Sequence, residues 1–456
     1  MNKKTRSLLV IVLLLVACLA LFTSCSAEKA EVFTPENQLG GIGKLIRWMY
    51  GLTGSYGWTV VIFTVALKIF MLPLDVWQRY SAKKSSVKMQ TIQPLLENID
   101  KRYGANTQRA NEEKQKLYKK QGFSAMSSCL PMIITMVVFF VMFGGLREFS
   151  LYRNVEAFNN MANSYYNSME AQIEDSSWKD TYTATFEQAK QTLLEKNVRK
   201  AIEEEKGVEE AEKIIANKEG EDYKNYLEKA EESLTNKEIL FQIQAVDAVL
   251  NQMGSSEKET FDQWHDNAEK AIQNEYKVQQ DSWLWINNIA QPDTWAPIMV
   301  AYDEGSNNFS QSVKMGDFDV VGNAGNGEAV YNTVRNAVLK IDNCSYGKNG
   351  TWNGLMILPI LSVALSFVSM WISQRMEKRP QNAQQASTNK TMMIMMPLMM
   401  AFFGFTYTGS FAIYMVINYL LSIISTVALR TPVDKLVEKQ IAKEEVENSS
   451  KASYMR

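Results

Sequence analysis

Long apolar runs alternate with strongly polar stretches along this 456-residue chain. Beyond an apolar run at the N-terminus, five blocks approach the ~20 apolar residues that carry a helix across a bilayer. They predict spans at 58–78, 129–147, 352–374, 392–408 and 410–429. The fourth is short and would have to tilt less or thin the bilayer around it. Almost nothing separates the last two, so Tyr407-Thr-Gly-Ser410 predicts a tight turn between antiparallel helices.

The polar stretches differ in kind. Residues 79–128 carry eleven Lys/Arg against four Asp/Glu. Two amphipathic runs, 86–103 and 108–121, flank Gly104-Ala-Asn106 and predict a helical hairpin. The positive-inside rule puts that hairpin, the loop 375–391 and the tail 430–456 in the cytoplasm. Residues 148–351 then lie outside. Up to about residue 280 they are rich in Glu, Lys, Ala and Gln, which predicts long solvated helices, with a coiled-coil-like hairpin as one arrangement. From Ala301 the composition turns to Gly, Asn, Ser and Asp, a looser stretch. Trp283, Trp285 and Trp295, just ahead of the third span, fit interfacial anchors.

The N-terminus reads as a secretory signal over 1–24: a basic Met1–Arg6, an apolar Leu8–Phe22, then small polar residues. Leu21-Phe-Thr-Ser-Cys25 resembles a bacterial lipobox, which would leave a lipidated Cys25 heading an outer segment 25–57. Phe22 departs from the aliphatic residue usual there. Leu15-Val-Ala-Cys18 fits better but would cut inside the apolar run, and an ordinary signal with an incidental cysteine is the other alternative. Cys129 and Cys344 fall on opposite sides of the membrane in this topology, so no disulfide is expected. A net charge of −2 says little about partners, because it averages a basic hairpin and an acidic outer segment. With His265 the only histidine, a zinc site or a histidine-based triad is not expected. Gly40-Gly-Ile-Gly-Lys44 lacks the spacing and the following Ser/Thr of a phosphate-binding loop. No cofactor and no enzymatic activity are expected.

One residue breaks the apolar pattern. Lys68 sits roughly 15 Å of helix from Trp58, near the middle of the first span. Even lenient insertion scales charge about 2.5–3.5 kcal/mol for a lysine there. It therefore needs a water-filled cavity or a partner, and a neighbouring carbonyl or Asp75, two turns on, would be the plain structural answer.

Several motifs in order make the chain recognisable. Leu67-Lys-Ile-Phe-Met-Leu-Pro-Leu74 resembles the first core span of the YidC/Oxa/Alb family of membrane protein insertases. Met89-Gln-Thr-Ile-Gln-Pro94, Tyr103 and Leu117-Tyr-Lys-Lys-Gln-Gly122 resemble its cytoplasmic hairpin, and Cys129-Leu-Pro131 the entry to its second span. Trp283-Leu-Trp-Ile286 with Gln291-Pro-Asp293 resembles the stretch before the third. Ile357-Leu-Pro-Ile360, Met392-Met-Ile-Met-Met-Pro397 and Tyr414-Met-Val-Ile-Asn418 resemble the third, fourth and fifth. The resemblance reaches neither 149–280 nor 301–350, which read as insertions.

The resemblance implies an all-α polytopic fold: a five-span core, a cytoplasmic helical hairpin and a large, mainly helical extracytoplasmic insertion. It implies a polar groove open to the cytoplasm and to lipid, with Lys68 as its charge and Thr64, Thr135, Tyr414, Met415 and Asn418 lining it. Three positions depart from the family pattern: Lys68 replaces an arginine, Thr135 a glutamine and Met415 an aromatic residue. The implied clients are nascent membrane proteins, handled alone or with the Sec translocon and the ribosome. The implied setting is the bacterial cell membrane and its lipid, with no specific nucleic acid. Two other classes compete: a transporter or channel with an intramembrane anion site, and a lipid-anchored structural or sensory protein. No internal repeat and no pair of interrupted helices support the first.

Overall fold

The computed structural model describes residues 30–31, 39–103, 107–120, 125–234, 238–299, 301–302, 308–310, 313–314, 326–341, 352–376, 397–398 and 401–454. Cys25 and, of the fourth expected span, residues 392–396 and 399–400 lie outside them. Among the described residues the protein is helical apart from three strands of two or three residues. In this sheet β1 (Ala30–Glu31) pairs parallel to β3 (Val313–Lys314), which pairs antiparallel to β2 (Asn308–Ser310).

Three helices run well past the boundaries that hydropathy suggests. A short amphipathic α1 (Gly41–Thr53) precedes α2 (Tyr56–Tyr103), which continues through the first apolar block into the first hairpin arm. No glycine interrupts the basic stretch between residue 78 and Gly104, and the helix runs through both Pro73 and Pro94. The second arm, α3 (Thr107–Lys120), folds back on α2, where Lys114 pairs with Asp100. Then α4 (Ala125–Glu174) joins the second apolar block to the outer segment without a break. Loss of hydropathy marks where lipid ends, not where a helix ends.

The outer segment is a packed module rather than a solvated hairpin. The outer half of α4 packs with α5 (Lys179–Lys206), α8 (Glu238–Gln252), α9 (Lys258–Gln279) and α10 (Asn326–Leu339) around Phe158, Met169, Ile173, Leu193, Val246 and Ile272. A satellite core holds α6 (Val208–Ala216) and α7 (Glu221–Leu234) to the end of α5 through Ile202, Ala211 and Tyr226. Charged residues between these apolar positions face outward, which is why the composition alone reads as solvated.

The remaining apolar helices are α11 (Ile357–Met376) and α12 (Gly409–Tyr454), with a short helical stretch at 401–406 between them. The expected turn lies at Tyr407-Thr408, and α12 runs through Pro432 into the expected tail. Among the described residues, Tyr56–Ser81 and Gly409–Lys443 are long and apolar enough to cross a membrane, and Ile357–Ser373 is a shorter apolar helix.

The third apolar helix starts at Ile357, five residues later than the hydropathy limit at 352, and the reason is local. Trp352 forms an isolated β-bridge with Pro297. The fully buried carboxylate of Asp293 accepts backbone N–H bonds from Leu355 (2.9 Å), Met356 (3.1 Å) and Leu358 (2.9 Å). A carboxylate here satisfies orphan donors of the first turn and complements the helix dipole. Trp285 Nε1 donates to the same carboxylate at 3.2 Å. Gly354 is required, since a Cβ there would overlap Asp293 Oδ1. Asn353 ties the same stretch down through Asn288 and Pro292.

Asp293→Ala should therefore lower stability by about 2–4 kcal/mol, the range for losing a cap plus several charge-assisted bonds. Thermal unfolding in detergent checks this, with Asp293→Asn expected to fall between the wild type and the alanine variant.

Candidate functional site

The helices that hold Lys68 are built inside out. On α2, Trp58, Ile62, Ile69 and Phe70 are 55%, 46%, 62% and 79% exposed, although they form one apolar face. On α12, Leu420, Ile424 and Val427 are exposed in the same way. The polar residues of these helices point inward instead: Thr59, Thr64, Ser410, Ser425 and Thr426 are buried. Small hydroxyl residues between helices with apolar residues outside is the pattern expected where the surrounding solvent is lipid.

Between α2 and α12 these polar groups form a seam. Lys68 Nζ lies 2.7 Å from Asp75 Oδ2, and both side chains are mostly buried. Asp75 Oδ2 accepts no hydrogen bond among the described residues, so the pair is coulombic. Lys68 also donates to Ser422 Oγ across the seam at 3.2 Å. Further along, Arg79 Nη2 donates to Thr426 Oγ1 at 2.7 Å, and Lys83 pairs with Asp434 at 3.0 Å. The contacts rise together in both helices, so α2 and α12 run parallel. Ser425 and Thr426 turn their hydroxyls onto the Ser422 carbonyl at 3.0 and 2.6 Å, which keeps both hydroxyls satisfied inside the bundle.

The structure thus realises the plain answer for Lys68: Asp75 is its partner. Lysine and aspartate seven residues apart on a helix are two turns apart, within reach of a long side chain leaning along the axis. Thr64, one turn before Lys68, is buried and donates to the Val60 carbonyl at 2.6 Å. Tyr414 and Met415 are also buried, and the Tyr414 ring lies 6.0 Å from that of Phe411. Both belong to the apolar cluster nearer the start of α12, not to the Lys68 pair. Asn418 is half-buried one turn beyond Tyr414. The Thr135 side chain lies outside the described residues. Ser422 and Thr426 were not anticipated; their signal is three hydroxyl residues, Ser422, Ser425 and Thr426, recurring at helical spacing within an apolar run.

The outer end of the bundle is filled. Tyr56 OH meets Ser150 Oγ at 2.8 Å, Ser150 meets Ser410 at 2.9 Å, and Ser410 meets Thr408 at 2.8 Å. Beside this hydroxyl chain, Phe143 packs edge-on to Phe403, Tyr407 and Phe411, the Tyr407 ring at 4.5 Å. Above it, buried Arg153 pairs with Asp281 at 2.7 Å and with Glu156, and lies over the Tyr50 ring at 4.7 Å. Burial works against the charge on Arg153, yet Asp281, joined by Tyr50 and Glu156, outweighs it and holds the guanidinium above its ordinary pKa. Burial raises the Asp281 carboxyl, and Arg153 offsets part of that rise.

A family model described as 60Kd inner membrane protein matches residues 48–191 and 270–435. The chain belongs to this family. Relatives named membrane protein insertase YidC include one from Caldanaerobacter subterraneus subsp. tengcongensis, 33% identical over 108 residues, which is 24% of this chain and 50% of that protein. Another, from Endomicrobium trichonymphae, is 32% identical over 119 residues, 25% of this chain and 22% of its own length. A third, from Treponema pallidum, is 34% identical over 102 residues, 22% of this chain and 15% of that protein. The chain thus spans half or less of the length of these relatives. The 60Kd inner membrane protein match corrects one expectation, because it takes in 149–191, 270–280 and 301–350, where motifs alone showed no resemblance. Much of that sequence builds the outer half of α4, the first turns of α5, the end of α9 and α10, which share one core.

Removing one partner of a mostly buried pair leaves the other charge uncompensated. Lys68→Ala and Asp75→Ala should each destabilise the protein, and the double variant should recover part of the loss. A double-mutant cycle by thermal unfolding in detergent should give a coupling of about 1–3 kcal/mol.

Proposed function

We propose that this protein is a bacterial membrane protein insertase, which receives nascent membrane segments in a polar groove beside α2 and α12 and releases them into lipid. The carrying observation is the seam of Lys68, Asp75, Ser422 and Thr426, set inside helices whose apolar faces point outward. Family membership and the name shared by its relatives support the same reading.

Moving a polar tail across hydrocarbon is opposed by the desolvation of its charges and backbone. A polar cavity reaching part-way into the bilayer shortens the apolar path. Lys68 supplies a positive charge that draws acidic residues of the tail inward, while Thr64, Thr135 and Asn418 line the way. Tyr414 and Met415, packed among aromatic residues, form its outer floor. The filled outer end, with its hydroxyl chain and aromatic cluster, supports a groove open on the cytoplasmic side only. The client helix then partitions sideways, driven by burial of its own apolar surface. The basic hairpin of α2 and α3 lies at the groove mouth, where it meets clients, the ribosome or the Sec translocon. In this topology the chain spans the cell membrane five times, with a lipidated Cys25 outside and the C-terminus in the cytoplasm.

The test is depletion of the protein in its host, followed by protease mapping of a small membrane protein with a short acidic translocated tail. Insertion should fall on depletion and return with the wild type or Lys68→Arg. With Lys68→Ala or Lys68→Glu it should stay lower by about tenfold, the equivalent of ~1.4 kcal/mol. Normal insertion without the protein would sink the reading.

A further inference from the structure

We infer that Asp75 is a specificity-determining residue, an internal counter-charge that weakens the hold of Lys68 on acidic clients and so widens the range of tails the protein accepts. The inference rests on the insertase reading and adds to it a separate role for Asp75.

The argument starts from the pair itself. An aspartate in an apolar span is as unfavourable as a lysine unless it has a partner. Asp75 and Lys68 stand 2.7 Å apart on one helix, with 17% and 16% of their side chains exposed. Asp75 Oδ2 is itself buried, so the residual exposure lies elsewhere on the two side chains. Lys68 is held from the other side by Ser422, a neutral hydroxyl that leaves its charge intact. Arg79, one turn beyond Asp75, directs a guanidinium N–H to Thr426 at 2.7 Å. The negative charge beside Lys68 therefore comes from its own helix and does not depend on a client.

A paired charge acts on a client differently from a lone one. For a client carboxylate about 4 Å beyond the ammonium, in line with the 2.7 Å pair, the Asp75 oxygen is about 6.7 Å away. Inverse-distance repulsion from Asp75, taken alone in a uniform dielectric, then removes about 60% of the attraction. The same cancellation reduces the repulsion that a neutral or basic tail would otherwise meet. Specificity is a difference of affinities, and a built-in competitor reduces that difference without removing the site.

The experiment uses the full-length protein in cells depleted of their own insertase, with a single-span reporter whose translocated tail carries two Asp, no charge or two Lys. Protease protection reads the insertion of each tail. Wild type should favour the acidic over the neutral tail by less than about threefold, Asp75→Asn by about tenfold or more, with the neutral tail little changed. Asp75→Glu should keep the wild-type ratio. A parallel change of all three tails in Asp75→Asn, or an unchanged ratio, would overturn the inference in favour of a purely structural pair. If Asp75→Asn does not accumulate, the wild type decides: an acidic preference of about tenfold in its presence overturns the inference, and a flat profile supports it. Failure of the wild type to insert any tail would instead defeat the insertase reading.

Discussion

The buried carboxylate of Asp293 is the constraint on which the arrangement of the apolar helices depends. It terminates the donors at the start of α11 and holds Trp285. The backbone around it makes the remaining ties. Gln291 O accepts from Gly409 N at 2.8 Å and Ile289 O from Ser410 N at 2.9 Å, fixing where α12 begins. Ala290 O accepts from Asn154 on α4, and Trp283 packs so closely on Gly57 of α2 that a Cβ could not fit. One irregular segment, 281–297, therefore meets the starts of α2, α11 and α12 and the middle of α4. Irregular backbone deep in a membrane protein is tolerated only where its polar groups are satisfied, and here side chains and helix ends satisfy them.

The bundle below that knot reverses the usual economy of a folded domain. In water, apolar burial holds helices together. Where lipid surrounds them, as the exposed tryptophans and isoleucines of α2 indicate, outward apolar residues gain nothing from turning in. Hydroxyl contacts and a few charges then provide the attraction between helices. The seam of α2 and α12 is thus both the adhesive between two helices and a place where charge is held inside them.

Hydropathy made the apolar blocks legible because their signal is summed over some twenty residues. Helix ends were less so. Residues 74–100 hold no glycine and α2 runs through Pro94, while α4 likewise carries on past Arg147 because helix propensity is indifferent to the solvent outside. The late start of α11 was hidden for the opposite reason: Asp293 lies more than sixty residues before the helix it caps, beyond any local rule. The outer module read as solvated because its apolar positions are diluted by charge, and only packing shows that Phe158, Leu193 and Ile272 share one core. Lys68 was visible as an anomaly and Asp75 as one possible partner. Choosing between a cavity and a partner required the rotamers, not the residues.

The unbroken course of α4 has a mechanical consequence. At about 1.5 Å per residue, Val137–Glu174 of α4 makes a rod about 57 Å long. From Val137 to Glu174 no proline interrupts it. A flexible connection would absorb any displacement of the outer module. A rod transmits it, so a sideways push on the module would appear as tilt of the inner half of α4. The outer module and the membrane core are two ends of one lever, with the Arg153–Asp281 pair and the Tyr56–Ser150–Ser410 hydroxyls as its fulcrum.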